Sequence, residues 1–266
     1  MPSNYTDERV LTMSGIHNFR DYGNYRARAG VLKSGMLWRS GQHMDATPDD
    51  LATVHALGIA TVVDLRGDSE RAQNACARHP EFSSEVLFHP GETAGTSGRA
   101  AHEEVAGDVR TPDDARRAML RLYESLPFRP VLAGTFRLYF KTLAERDAPS
   151  LLHCLAGKDR TGLAAALVHS LMGVHRDDIF SDYLLTNIAG NAEARIAAGA
   201  RHVREGFGIK MSDEALRVLM SVEEQFLDRA FQTIGARYGS IEGYGRELLG
   251  VSAQTIGQME QRLVVN

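Results

Sequence analysis

The ten residues His153-Cys154-Leu155-Ala156-Gly157-Lys158-Asp159-Arg160-Thr161-Gly162 constrain this chain more than any other stretch. They set a cysteine, five residues and an arginine between a short apolar run and the start of a helix. Ser150 to Leu155 has the length and composition of a buried strand, and from Gly162 onward Leu163, Ala164, Leu167, Val168, Leu171 and Met172 recur at helical spacing. A tight turn feeding a helix amino end can aim several backbone N–H groups at one anion. Leu155, Ala156, Gly157, Lys158, Asp159 and Arg160 are therefore the candidate residues around a bound phosphoryl group. Gly157 and Gly162 allow close backbone approach, and Arg160 can bind two oxygens in one plane, which lysine cannot.

Cys154 is the candidate nucleophile. A thiol must ionise to attack, and helix amino ends and neighbouring cations lower its pKa from ~8.5 to roughly 3.5–7.5. Thr161 is expected to hydrogen-bond the sulfur and His153 to orient the loop through its ring nitrogens. A buried structural cysteine is the competing reading. Chance alignment of His, Cys, Arg, Thr and Gly at these spacings arises about once in ten thousand such chains on average residue usage, so the spacing outweighs it.

Around the loop, Val31–Leu32 and Met36–Trp38 read as short strands about a Lys33-Ser34-Gly35 turn, and Thr47-Pro48 opens a helix to about His55. Ile59 to Leu65 reads as a buried strand running into Arg66-Gly67-Asp68 and a helix, and Glu85 to Phe88 as a weaker strand. Residues 91–109 turn to Gly, Ala, Ser and charge without a period, which suggests an excursion from the core. Thr111-Pro112-Asp113-Asp114 starts a helix whose face is Ala115, Ala118, Met119, Leu122, Tyr123 and Leu126. Further helices are expected at Val131–Leu143, Asp177–Asn187, Ala192–Arg204, Ser212–Ile234 and Ser252–Leu263, so that 188–266 forms a helical end to one 266-residue domain.

The loop matches the His-Cys-x5-Arg-Thr/Ser-Gly signature, and the full string resembles the atypical bacterial branch of protein tyrosine and dual-specificity phosphatases, mycobacterial PtpB-like and listerial LipA-like. Asn18-Phe19-Arg20-Asp21, Leu37-Trp38-Arg39-Ser40, Val63-Asp64-Leu65-Arg66 and Ser181-Asp182-Tyr183-Leu184 agree with that branch, so the resemblance runs from about Asn18 to Tyr183 and beyond. It implies an α/β fold with a partly parallel central sheet flanked by helices and a helical lid, for which residues 91–126 are the candidate. It also implies hydrolysis of phosphate monoesters through a phosphocysteine on Cys154.

A general acid is then needed for the leaving group. The Trp-Pro-Asp loop used by many tyrosine phosphatases is absent, since the one tryptophan, Trp38, precedes Arg39. Asp64, at the end of its strand, is the first candidate, and its counterpart in the resembling branch carries that role. A plain pairing of Asp64 with Arg66 is the alternative. Asp159 is the rival acid, with an ion pair to Arg160 as its own alternative. Lys158 resembles a loop lysine of phosphoinositide phosphatases and could hold a second phosphate, or be a solvated lysine offset by Asp159.

Phosphotyrosine and phosphoinositide substrates thus stay nearly level with phosphotyrosine slightly ahead, and a phosphate-binding module lacking turnover is the reading from another class. Rhodanese and arsenate reductase explain the Arg160-Thr161-Gly162 ending less well. The ten histidines show no His-Glu-x-x-His spacing and the chain has no nucleotide phosphate loop, so no metal and no cofactor are expected. A net charge of -4 gives no reason to expect nucleic acid. Two cysteines and no secretory pattern in Met1 to Leu11 suggest a reduced, cytoplasmic setting, with export by another route left open. A redox pairing of Cys76 with Cys154 is weighed against an inert thiol, and the inert thiol is preferred. Oligomeric state is not read from these residues.

Overall fold

In a computed structural model, which describes residues 7–93, 109–190 and 211–265, Cys154 directly follows the central strand of a five-stranded sheet. The chain order begins β1 (Arg20–Asp21), β2 (Arg26–Ala27), β3 (Gly30–Leu32), β4 (Leu37–Ser40), α1 (Pro48–Ala56), β5 (Thr61–Asp64), α2 (Asp68–Gln73) and β6 (Glu85–Leu87). It continues with α3 (Pro112–Ser125), α4 (Pro130–Glu145), β7 (Ser150–His153), α5 (Asp159–Met172) and α6 (Arg176–Ala189). The last elements are α7 (Asp213–Met220), α8 (Glu224–Tyr238), α9 (Ile241–Glu247), α10 (Ala253–Leu263) and β8 (Val264–Val265).

The main sheet has the order β1-β4-β7-β5-β6, parallel throughout except for the antiparallel β1 edge. Each central strand splits its side chains between two cores, as a period of two requires. Val62, Leu151 and Trp38 face a small cluster with Ile16, Phe19 and Ile59, whereas Val63, Leu152 and Leu37 face the large helical core. Both faces being covered explains why β5 and β7 read as unbroken buried runs rather than alternating ones. A second, antiparallel sheet of order β2-β3-β8 joins residues near the two ends of the described chain.

Thr47 and Thr111 both cap their helices, accepting from the N–H groups of Asp50 and Asp114, with proline in the first turn. The face of α3 is buried as its spacing predicts and packs on α7 and α8. Each fully buried Leu, Met or aromatic residue there stabilises the fold by roughly 1.5–3 kcal/mol.

Two expectations need correction. The helix expected over Ser212–Ile234 is two helices, broken at Ser221–Glu223, because Asn187 of α6 bonds both the N–H (2.8 Å) and the carbonyl (2.9 Å) of Val222. Helix α5 begins at Asp159 rather than Gly162, so Arg160 and Thr161 already belong to its first turn. The helix expected at 192–204 and residues 94–108 of the candidate lid lie outside the described residues.

Candidate active site

Cys154 follows the carboxyl end of β7, flanked by β4 and β5, with Ser40 and Asp64 in register with His153. Ligands of parallel sheets gather at that edge. The turn from Cys154 into α5 is held at both flanks: the Gln42 N–H donates to the Leu155 carbonyl (2.9 Å) and the Leu65 N–H to the His153 carbonyl (2.9 Å). Leu155 and Ala156 remain partly exposed, while Gly157 through Arg160 are buried.

Gly157 requires glycine. Its φ is +65°, and a Cβ there would sit 2.5 Å from the Ser40 carbonyl and the Gly41 nitrogen. Its carbonyl accepts from Asn18 Nδ2 (2.6 Å) and Arg39 Nη2 (3.2 Å). Arg39 in turn donates to Asp182 Oδ2 (2.6 Å), whose Oδ1 accepts from Arg20 Nε (3.1 Å). These three charged side chains are buried, and the two arginines hold the Asp182 carboxyl well below the usual range against the opposing effect of burial. The outlying segments around Asn18, Arg39 and Asp182 thus meet beneath the loop as its support.

Arg160 is buried and bound bidentately. Its Nη2 donates to Glu70 Oε1 (2.7 Å), and its Nη1 to Glu70 Oε2, Thr93 Oγ1 (2.7 Å) and the Leu65 carbonyl (3.2 Å). Burial alone would lower its pKa; the charges of Glu70, Cys154 and Asp159 more than reverse this, so the guanidinium stays charged beside the sulfur. Glu70 is itself fixed by the Gly67 N–H (2.9 Å). Sequence reasoning missed Glu70 because Gly67-x-x-Glu70 signals only a helix start, and its partner lies 90 residues away.

The candidate acids sit differently. Asp64 accepts from Arg66 Nε (2.9 Å), Nη2 (2.8 Å) and its backbone N–H (3.0 Å), and although burial pushes the carboxyl up, His153 and Arg66 hold it well below the usual range. Asp159 Oδ1 accepts from the Tyr123 hydroxyl (2.9 Å) and lies 3.5 Å from Lys158 Nζ, with Oδ2 unpartnered among the described residues. Tyr183 donates to Tyr123 (2.7 Å), extending this chain into α6. The alternative for Asp159, an ion pair with Arg160, is not formed among the described residues; Arg160 pairs with Glu70.

Two further side chains depart from their expected places, whereas His153 contacts the loop as expected, its Nδ1 lying 3.3 Å from the Cys154 carbonyl. Lys158 is not solvated: it is 3% exposed, and its Nζ donates to the carbonyls of Leu219 and Ser221 (3.1 Å to the latter), tying the loop to the α7–α8 break. Thr161 Oγ1 is buried with no hydrogen-bond partner among the described residues, so the expected bond to the sulfur is not made. His153 has a pKa of about 4 because burial disfavours its charge, so it is neutral and its 3.7 Å approach to Asp64 is not an ion pair. Both cysteines are unpaired, and Cys76 Sγ lies 3.2 Å from Arg66 Nη2.

Among the described residues, no helix is long and apolar enough to cross a membrane. Residues 11–265 match the tyrosine phosphatase family. A Cupriavidus necator protein bearing a tyrosine-protein phosphatase name is 32% identical over 246 residues, covering 91% of this chain and 84% of that protein. The triple specificity protein phosphatase PtpB of Mycobacterium tuberculosis is 31% identical over 278 residues, covering 94% and 97%. A tyrosine-protein phosphatase of Nostoc commune is 28% identical over 239 residues, covering 84% and 71%.

Proposed function

The chain belongs to the tyrosine phosphatase family, and on that premise we propose that it hydrolyses phosphotyrosine through a phosphocysteine formed on Cys154. The observation that carries this reading is the buried, charged Arg160, fixed by Glu70 beside Cys154 at the amino end of α5. It supplies two donors to a phosphoryl group without having to be ordered on binding.

In the first step the Cys154 thiolate attacks phosphorus. The S–P bond forms, the bond to the tyrosyl oxygen breaks, and a carboxylic acid gives its proton to the departing phenolate. Water then attacks phosphorus, the carboxylate takes its proton, the S–P bond breaks, and inorganic phosphate leaves with the thiolate restored. We assign the acid to Asp159. Both oxygens of Asp64 are held by Arg66, which keeps it ionised across neutral pH, whereas among the described residues only Oδ1 of Asp159 is bonded, leaving Oδ2 to face a leaving group. Asp64 then acts by ordering Arg66 next to the loop.

Phosphate release from a phosphotyrosine peptide, a phosphoserine peptide and a phosphoinositide, with Cys154→Ser as blank, tests the reading. Turnover of phosphotyrosine that vanishes in Cys154→Ser is expected; turnover surviving that change would overturn it. The triple specificity named for the mycobacterial relative is the reason for all three arms. With its amine on backbone carbonyls, Lys158 gives the phosphoinositide reading no support, so Lys158→Met is expected to lower turnover of singly and multiply phosphorylated substrates together. Asp159→Asn should lose most on substrates with poor leaving groups and Asp64→Asn should not; the reverse pattern would restore Asp64 as the acid.

A further inference from the structure

We propose that His55, His79 and Glu81 form a binding site for one divalent transition-metal ion, with Zn2+ the best match to their donors. One ligand atom from each lies within 4.8 Å of the other two. His55 stands in the last turn of α1, and His79 and Glu81 stand on a tight turn closed by the Phe82 N–H to the His79 carbonyl (2.9 Å). The imidazoles are stacked, with centroids 4.1 Å apart and planes 14° from parallel, and His55 Nε2 lies 3.4 Å from Glu81 Oε2.

Two imidazoles and a carboxylate suit Zn2+, which takes nitrogen and oxygen at about 2.0–2.2 Å and leaves a fourth position for water. At those lengths tetrahedral ligand atoms stand about 3.3 Å apart, so closure needs side-chain rotation of roughly an ångström. His55 and Glu81 are exposed and His79 partly so, which leaves room for that movement. The movement gives up the parallel stack of the two rings and, for ligation through His79 Nδ1, the bond from the Glu81 N–H to that nitrogen (3.2 Å).

The place is distinct from the phosphate loop. The His55 carbonyl accepts from the Gly58 N–H just before the amino end of β5, whereas Cys154 follows the carboxyl end of β7, and those strands are parallel. Both histidines line a cavity of about 300 Å³ together with Leu51, Val54, Phe82 and Leu151. A bound ion would cross-link α1 to the segment carrying Cys76, whose sulfur touches Arg66. Its role is therefore structural, outside the phosphate chemistry.

Calorimetric titration of Zn2+ into chelator-dialysed full-length protein tests this, using Cys154→Ser so that the reactive thiol does not compete. One ion per chain is expected, with His55→Ala and His79→Ala each weakening binding more than about tenfold. Glu81→Gln should weaken it less, and metal-free phosphatase turnover of the histidine variants in the Cys154 background should match wild type. The absence of saturable binding, or affinity unchanged in both histidine variants, would overturn the site. Unchanged far-ultraviolet circular dichroism of the variants separates a lost ligand from a lost fold.

Discussion

Glu70 grips the Arg160 guanidinium with both carboxylate oxygens, so the candidate phosphate-binding arginine is oriented by a residue of α2 rather than by its own loop. Glu70→Gln keeps the shape and removes the charge. It is expected to lower kcat/KM for an aryl phosphate on the order of 100-fold, with Tm lowered as well. Vanadate affinity falling in parallel with kcat/KM would identify misplacement of Arg160 as the cause.

The loop's own geometry makes a second test. Gly157→Ala places a methyl group against the Ser40 carbonyl at a positive φ, which costs roughly 1–3 kcal/mol in strain alone. Phosphatase turnover should fall further than stability does, because the displaced backbone is that of the candidate anion-binding loop. Steady-state kinetics set beside urea denaturation measure the two losses.

Asp182 carries the charge balance beneath the loop. Asp182→Asn leaves Arg20 and Arg39 buried against a neutral amide, and loss of one partner from a buried pair costs about 3–5 kcal/mol. Thermal denaturation should show a Tm lower by on the order of 10 °C.

The pH dependence of stability has a sign fixed by His153, whose pKa is lowered to about 4 by burial. Between the ordinary histidine value of about 6.5 and about 4, the unfolded chain binds the proton and the folded one does not. Stability present above about pH 6.5 is therefore lost as pH falls through that window, by at most on the order of 3 kcal/mol from this residue. His43, whose charge burial also disfavours, adds loss in the same direction. Below that window the lowered carboxyls of Asp64 and Asp182 continue the loss. Urea midpoints measured at several pH values should show a shallower slope in His153→Gln than in wild type.

Much of this was legible in the residues because it is local. The Cys154-to-Arg160 spacing, the Thr47-Pro48 and Thr111-Pro112 helix starts and the apolar runs of β5 and β7 each depend on neighbours within a few positions. What stayed hidden depends on partners far along the chain. No glycine or proline marks the break after α7; Asn187 makes it from 35 residues away. Lys158 is buried by carbonyls 61 and 63 residues on, and Glu70 finds Arg160 only once α2 is folded back over the sheet edge. For Asp64, both the catalytic reading and the pairing with Arg66 were written in the sequence, and it took coordinates to show the Arg66 bond formed.

The cluster under Gly157 sets two guanidinium groups, Arg20 and Arg39, against the single carboxylate of Asp182. That surplus unit of positive charge is buried, where a low dielectric strengthens the molecule's hold on a thiolate or an oxyanion at the loop above. The grip on an anion is set in part by charges the anion never touches, and the same attraction works against the departure of phosphate.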